Sequence, residues 1–138
     1  MKAILLSAAL LGVLVTGCRK DDDETNTAGK GGSASLRVSV MHHAAIIDSG
    51  VVRIKYNATQ PPTNGLYDDS ADISRLGSNP PQALFPGLKK GDYYLSARAY
   101  DKNWVPGTIT LVTGSIPYYV ADTMAGKNIV LPVDEDTP

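Results

Sequence analysis

One cysteine, two histidines and one tryptophan occur in the 138 residues, so the side chains able to do chemistry can be weighed one by one. Cys18 stands between an apolar run and the block Arg19-Lys20-Asp21-Asp22-Asp23-Glu24. A thiolate is strongly nucleophilic, and with no second cysteine to pair with, Cys18 suits acylation rather than a disulfide. His42 and His43 are adjacent, and neighbouring residues of a strand point to opposite faces. The spacing therefore predicts one packed and one solvated histidine, not two ligands of one metal ion. A site there would need an acid such as Asp48 or Asp101 to fold beside one ring. Asp68, Asp69 and Asp72 offer oxygen ligands for calcium but lack the EF-hand spacing and its glycine, which reads as a solvated loop. Tyr94, Tyr100 and Trp104 are candidate ligand contacts, since exposed aromatics stack on sugars or anchor partners. The competing reading folds Trp104 over the end of the core and leaves the tyrosines in cross-strand pairs. No Gly-x-Ser-x-Gly turn, Gly-rich phosphate loop or zinc-type cysteine pair occurs.

These residues are positioned by a chain with a clear address. Met1-Lys2 is a short positive start, and Ala3 to Val15 is uncharged and mostly Ala, Leu, Ile and Val. The run is too short to span a bilayer as a helix, which takes about 20 residues. It has the build of a secretory signal peptide, residues 1–17. Val15-Thr16-Gly17-Cys18 resembles the lipobox of bacterial lipoproteins, in which signal peptidase II cuts before an acylated cysteine. That resemblance implies Cys18 as the lipid-attachment residue and a membrane anchor made through it. Asp21, Asp22, Asp23 and Glu24 resemble the export signal of Gram-negative surface lipoproteins. This implies an outer-membrane protein facing the cell exterior. The alternative reading of the acids is a solvated tether.

Residues 18–33 read as a lipidated, acidic and then Gly-rich tether, ending in the flexible stretch "TNTAGKGGS". Residues 134–138, "DEDTP", read as a polar tail. Between them, residues 34–133 form one domain with one core. That body holds nine basic and seven acidic residues, with no basic cluster of the kind nucleic acid requires. Its pattern is alternation with turn punctuation. Leu36, Val38, Val40 and His42 share one face of "SLRVSVMH". Val52, Ile54 and Tyr56 alternate with Arg53 and Lys55. Tyr93, Leu95, Ala97 and Ala99 alternate with Tyr94, Ser96, Arg98 and Tyr100. "TITLV", "IPYYVA" and "KNIVLPV" read as three further strands. Residues 57–82, with two Pro-Pro pairs and an Asn-Gly, read as a long excursion holding one short strand or turn around Tyr67 to Ile73. Without helical periodicity, the expectation is an all-β fold, a single antiparallel sandwich of about seven strands.

"ALFPGLKKGDYYLSARAYD", Ala83 to Asp101, resembles the F-x-x-L-x-x-G-x-Y-x-L pattern of prealbumin-like sandwiches, through Phe85, Leu88, Gly91, Tyr93 and Leu95. The relatives so implied are transthyretin-like domains, carboxypeptidase regulatory-like domains and the B-type repeats of bacterial adhesins. Fold does not carry activity with it, and two sister activities do not transfer. Hydroxyisourate hydrolases end in Tyr-Arg-Gly-Ser, whereas this chain ends "NIVLPVDEDTP". The adhesin isopeptide needs a lysine on the first strand, and "SLRVSVMH" has none. Asn57-Ala58-Thr59 fits a glycosylation site but is read as chance. The body's aspartates, Asp48, Asp92 and Asp101 among them, read as turn or loop residues.

The expected function is thus a non-catalytic surface lipoprotein with a structural or adhesive role toward a protein or glycan partner. No cofactor, catalytic residue or metal is expected. The alternative is a small glycan- or peptide-binding module using Tyr94, Tyr100 and Trp104. A concave aromatic patch near Trp104 would favour that alternative. One arrangement would favour an enzyme: His42, on the inward face, meeting an aspartate from a distant loop in a cleft.

Overall fold

The computed structural model describes residues 27–75, 77, 79–121 and 125–136. Cys18 and the acids Asp21, Asp22, Asp23 and Glu24 lie outside the described residues. The strands are β1 (Lys30–His42), β2 (Ala45–Ile46), β3 (Gly50–Tyr56), β4 (Asp69–Asp72), β5 (Ala83–Leu88), β6 (Gly91–Asp101), β7 (Thr110–Val120), β8 (Lys127–Pro132) and β9 (Asp134–Glu135). One sheet has the order β2-β1-β5, with β8 on the other edge of β1; the second has the order β4-β3-β6-β7-β9. Two sheets packed together make a β-sandwich, the expected fold class. None of the described residues forms a helix long and apolar enough to cross a membrane.

Period-two burial places the core where the sequence pattern puts it. Ala34, Leu36, Val38, Val40 and His42 form the inward row of β1, each almost fully buried. Facing them are Val52 and Ile54 of β3, and Tyr93, Leu95, Ala97 and Ala99 of β6. Phe85 and Leu88 are both 1% exposed, so the Pro86-Gly87 bend does turn both side chains inward. The short strand near Tyr67 to Ile73 is β4, and it pairs antiparallel with β3.

Three features depart from the sequence reading. β1 starts at Lys30, inside the stretch read as tether. The glycines there serve close approach: a Cβ added at Gly32 would lie 2.0 Å from the Leu88 carbonyl oxygen. β1 is bulged at this point against β5. The lysine missing from "SLRVSVMH" thus heads the strand as Lys30, half exposed and 2.6 Å from Asp69.

Secondly, most of "TITLV" and "IPYYVA" falls in one continuous strand, β7, Thr110–Val120. Gly114 does not end a strand; a Cβ there would meet the Pro132 carbonyl oxygen at 2.2 Å. The carbonyl it would meet belongs to the segment around Val133, where the chain crosses from β8 in one sheet to β9 in the other. Pro117 is tolerated because β9 pairs only with Val112 and Thr113, which leaves the rest of β7 an edge.

Thirdly, β8 pairs parallel with β1, from Leu36↔Lys127 to Met41↔Pro132, inside an otherwise antiparallel fold. Val133 N then donates to Met41 O at 3.0 Å, and the chain steps over to β7 as β9. Asp134 and Glu135, read as part of a polar tail, are therefore strand, and the step carries Glu135 to the end of β1.

Candidate functional site

The inward rows of β1 and β6 both end in a polar residue, His42 and Asp101. Both are buried, at 0% and 4% exposure. They meet at this pole of the sandwich, with His42 Nδ1 2.9 Å from Asp101 Oδ2. Asp101 is therefore an inward strand residue, which corrects its reading as a solvated turn aspartate. Its second oxygen, Oδ1, accepts the backbone N–H groups of Asn103 at 2.8 Å and Trp104 at 3.0 Å. Burial by itself would raise the Asp101 pKa. The hydrogen bonds from His42, Asn103 and Trp104 outweigh it and hold the carboxyl below its ordinary range.

The same aspartate builds the turn that delivers Trp104. The indole stacks on His43 with ring centroids 3.9 Å apart and planes 8° from parallel, and meets His42 edge-on at 5.3 Å. Trp104 thus folds over the polar end of the core.

His42 and His43 do not point apart; their ring centroids lie 4.3 Å from each other. The alternation rule fails because the strand ends between them. His42 pairs with Ala45, so His43 and Ala44 are a two-residue hairpin loop. Both have positive φ, 44° and 64°, as a type I′ turn requires. That turn swings the His43 ring back over the end of β1. Asn-Gly is the usual sequence for it, and His-Ala gives no such signal.

Glu135 completes the cluster. Its Oε1 lies 3.4 Å from His43 Nε2 and 3.5 Å from His42 Nε2. A hydrogen bond from its own backbone N–H lowers its pKa most; burial opposes, and the nearby imidazoles of His43 and His42 add to the lowering. The contact with His42 does not have hydrogen-bond geometry, and among the described residues His42 Nε2 has no hydrogen-bond partner. His42, His43 and Glu135 bring their ligating atoms within 4.8 Å of one another. Of the two acids named as conceivable neighbours of a histidine ring, Asp48 and Asp101, the fold brings Asp101 to His42; Glu135 carries no signal, since nothing in "DEDTP" marks an acid that will be folded back.

The other candidates are placed apart from this cluster. Asp48 is exposed and lies 3.4 Å from Lys102 Nζ. Asp68 accepts from Lys55 Nζ at 3.0 Å and from Tyr56 N at 2.7 Å, Asp69 pairs with Lys30, and Asp72 is exposed on the edge strand β4. Tyr94 is largely buried, its hydroxyl 2.6 Å from Ser115 Oγ. Tyr100 is 42% and Trp104 45% exposed. Six residues of strand separate Tyr94 from Tyr100, roughly 20 Å, so the aromatics do not form one patch. The concavity beside Tyr100 and Asn103 holds only about 10 Å³, far short of the ~300 Å³ typical of a small-molecule pocket.

No protein-family model matches the chain, and no curated protein matches it in sequence.

Proposed function

We propose that the chain is a non-catalytic surface lipoprotein of the outer membrane, anchored through acylated Cys18, whose sandwich has a structural or adhesive role and presents the His42–Trp104 pole outward. The observation that carries this reading is the run of β1. It leaves the tether at Lys30 and ends twelve residues later at His42, roughly 40 Å away along an extended strand. The start of β1 and the His42 cluster therefore lie at opposite ends of the body, which supports this reading.

The near end is built as a fixed base. Tyr93 is fully buried; its hydroxyl accepts the Gly29 N–H at 2.8 Å and donates to Lys89 O at 2.7 Å. The tether is thereby pinned to the start of β6. The prealbumin-like assignment draws support from the burial of Phe85, Leu88, Tyr93 and Leu95, the residues that carry the motif. Among the described residues, the concavity beside Tyr100 and Asn103 holds only about 10 Å³, which favours a structural or adhesive role over a glycan pocket there.

Metabolic labelling with an alkyne fatty acid tests the anchor. The wild-type chain should incorporate label, and Cys18→Ala should accumulate as an unlabelled precursor. Labelling of the variant at the wild-type level would overturn the reading.

A further inference from the structure

Among the described residues, the buried side-chain atom left without a hydrogen-bond partner is Nε2 of His42. Nδ1 is engaged by Asp101, a carboxylate that can only accept, so the neutral ring carries its proton on Nδ1 and presents Nε2 bare. That nitrogen is buried and has no hydrogen-bond partner among the described residues. It faces Glu135 Oε1 at 3.5 Å. A lone pair aimed at a carboxylate oxygen is repulsive unless a cation lies between them.

A second imidazole reaches the same oxygen, at 3.4 Å from His43 Nε2. Zinc bonds of ~2.0–2.2 Å to nitrogen and oxygen set tetrahedral ligand–ligand edges of about 3.3–3.5 Å. Both imidazole–carboxylate edges have that length before any ion is added.

We propose that His42 Nε2, His43 and Glu135 bind a divalent transition-metal ion, zinc fitting best, with Asp101 as the positioning residue behind His42. Two imidazoles and one carboxylate suit zinc, copper or nickel; calcium and magnesium require mostly oxygen ligands. The Asp101–His42 bond supplies the carboxylate–histidine–metal relay that fixes ring orientation and raises ligand basicity. Trp104 holds the second ring by stacking, and the His43-Ala44 turn spends backbone strain, of order 1 kcal/mol per left-handed residue, to bring that ring over. Three protein ligands leave a fourth position. His43 and Glu135 are 45% and 41% exposed, so this position opens to solvent, where water or a donor from a partner molecule can fill it. The inference goes beyond the proposed anchoring and does not depend on it.

The test is calorimetric titration of Zn²⁺ into the full chain in detergent, on a Cys18→Ala background so that no thiol competes. One ion should bind per chain with micromolar affinity or better. His43→Ala and Glu135→Gln, both at partly exposed positions and checked for an unchanged melting temperature, should each weaken binding at least about tenfold. The ¹⁵N resonance of His42 Nε2 should move on addition of zinc, and excess Ca²⁺ should not displace the ion. Equal affinity in the Cys18→Ala parent and in its His43→Ala and Glu135→Gln variants, no saturable binding below millimolar zinc, or displacement by Ca²⁺ would each overturn the assignment. A His42 ring that stays protonated at both nitrogens in the presence of zinc would also overturn it, because a proton would then fill the place given to the metal.

Discussion

His42 and Asp101 lie 59 residues apart in the chain and are joined by a 2.9 Å contact between Nδ1 and Oδ2, where the inward rows of the two sheets run out. Each residue continues an apolar row by period, and each substitutes a polar group at the last position. The pair closes the core and at the same time sets which nitrogen of His42 faces outward.

Asp101→Asn tests that second role. The amide oxygen can still accept the Asn103 and Trp104 N–H groups, while the amide nitrogen must donate to His42 Nδ1. The neutral ring should then move its proton to Nε2, and zinc affinity should fall although the fold persists. Asp101→Ala removes the acceptor of all three bonds and should cost about 3 kcal/mol. Long-range ¹H–¹⁵N correlation of the histidines and urea midpoints read the two effects. An Asp101→Asn protein that keeps its proton on Nδ1 would contradict the assignment.

Ala44→Gly should stabilise the domain. Ala44 sits at φ 64°, where an L side chain is strained and glycine is not. Part of the gain is lost to the greater freedom of glycine in the unfolded chain, leaving about 0.5–1 kcal/mol net. A urea midpoint equal to or below wild type would mean that the turn is not left-handed at this position.

Much of this architecture was legible in the sequence. The inward rows of β1, β3 and β6 follow from strict alternation, and the burial of Phe85, Leu88, Tyr93 and Leu95 follows from the motif around the Pro-Gly bend. His42 was placed on the inward face for the same reason. Convergence of the two histidines was hidden because a type I′ turn made of His-Ala carries no turn signal. Glu135 was hidden because its position depends on the parallel pairing of β8 with β1, a long-range register that local pattern does not encode. The glycine-rich start of β1 looked like linker because glycine serves flexibility and close backbone approach equally well, and only the neighbour of Gly32 decides between them.

Acid should weaken the fold in a defined window. The hydrogen bond from Lys30 lowers the Asp69 pKa most, with burial opposing and Ser70 N–H and the Lys30 charge adding to the lowering. For Asp68 burial raises the pKa, and the Tyr56 N–H and Lys55 outweigh it. Both folded values thus lie below the ordinary 3.8. A depressed carboxylate contributes its stability above the unfolded pKa and loses it as pH falls through the folded value. Urea midpoints should therefore hold down to pH about 4 and fall below it, and Asp68→Asn with Asp69→Asn should flatten that fall. An unchanged slope in the double variant would assign acid sensitivity elsewhere.

Anchorage at Cys18 with the His42 pole outward can be read in one labelling experiment. Asn103 is exposed beside Trp104, and Asn103→Cys places a thiol at that pole. Intact cells producing the full chain are treated with a membrane-impermeant maleimide. Asn103→Cys should label on intact cells, while the wild-type chain should not label even after denaturation, because acylation leaves Cys18 without a free thiol. Labelling of Asn103→Cys only after lysis, or labelling of the wild-type chain at Cys18, would contradict the account.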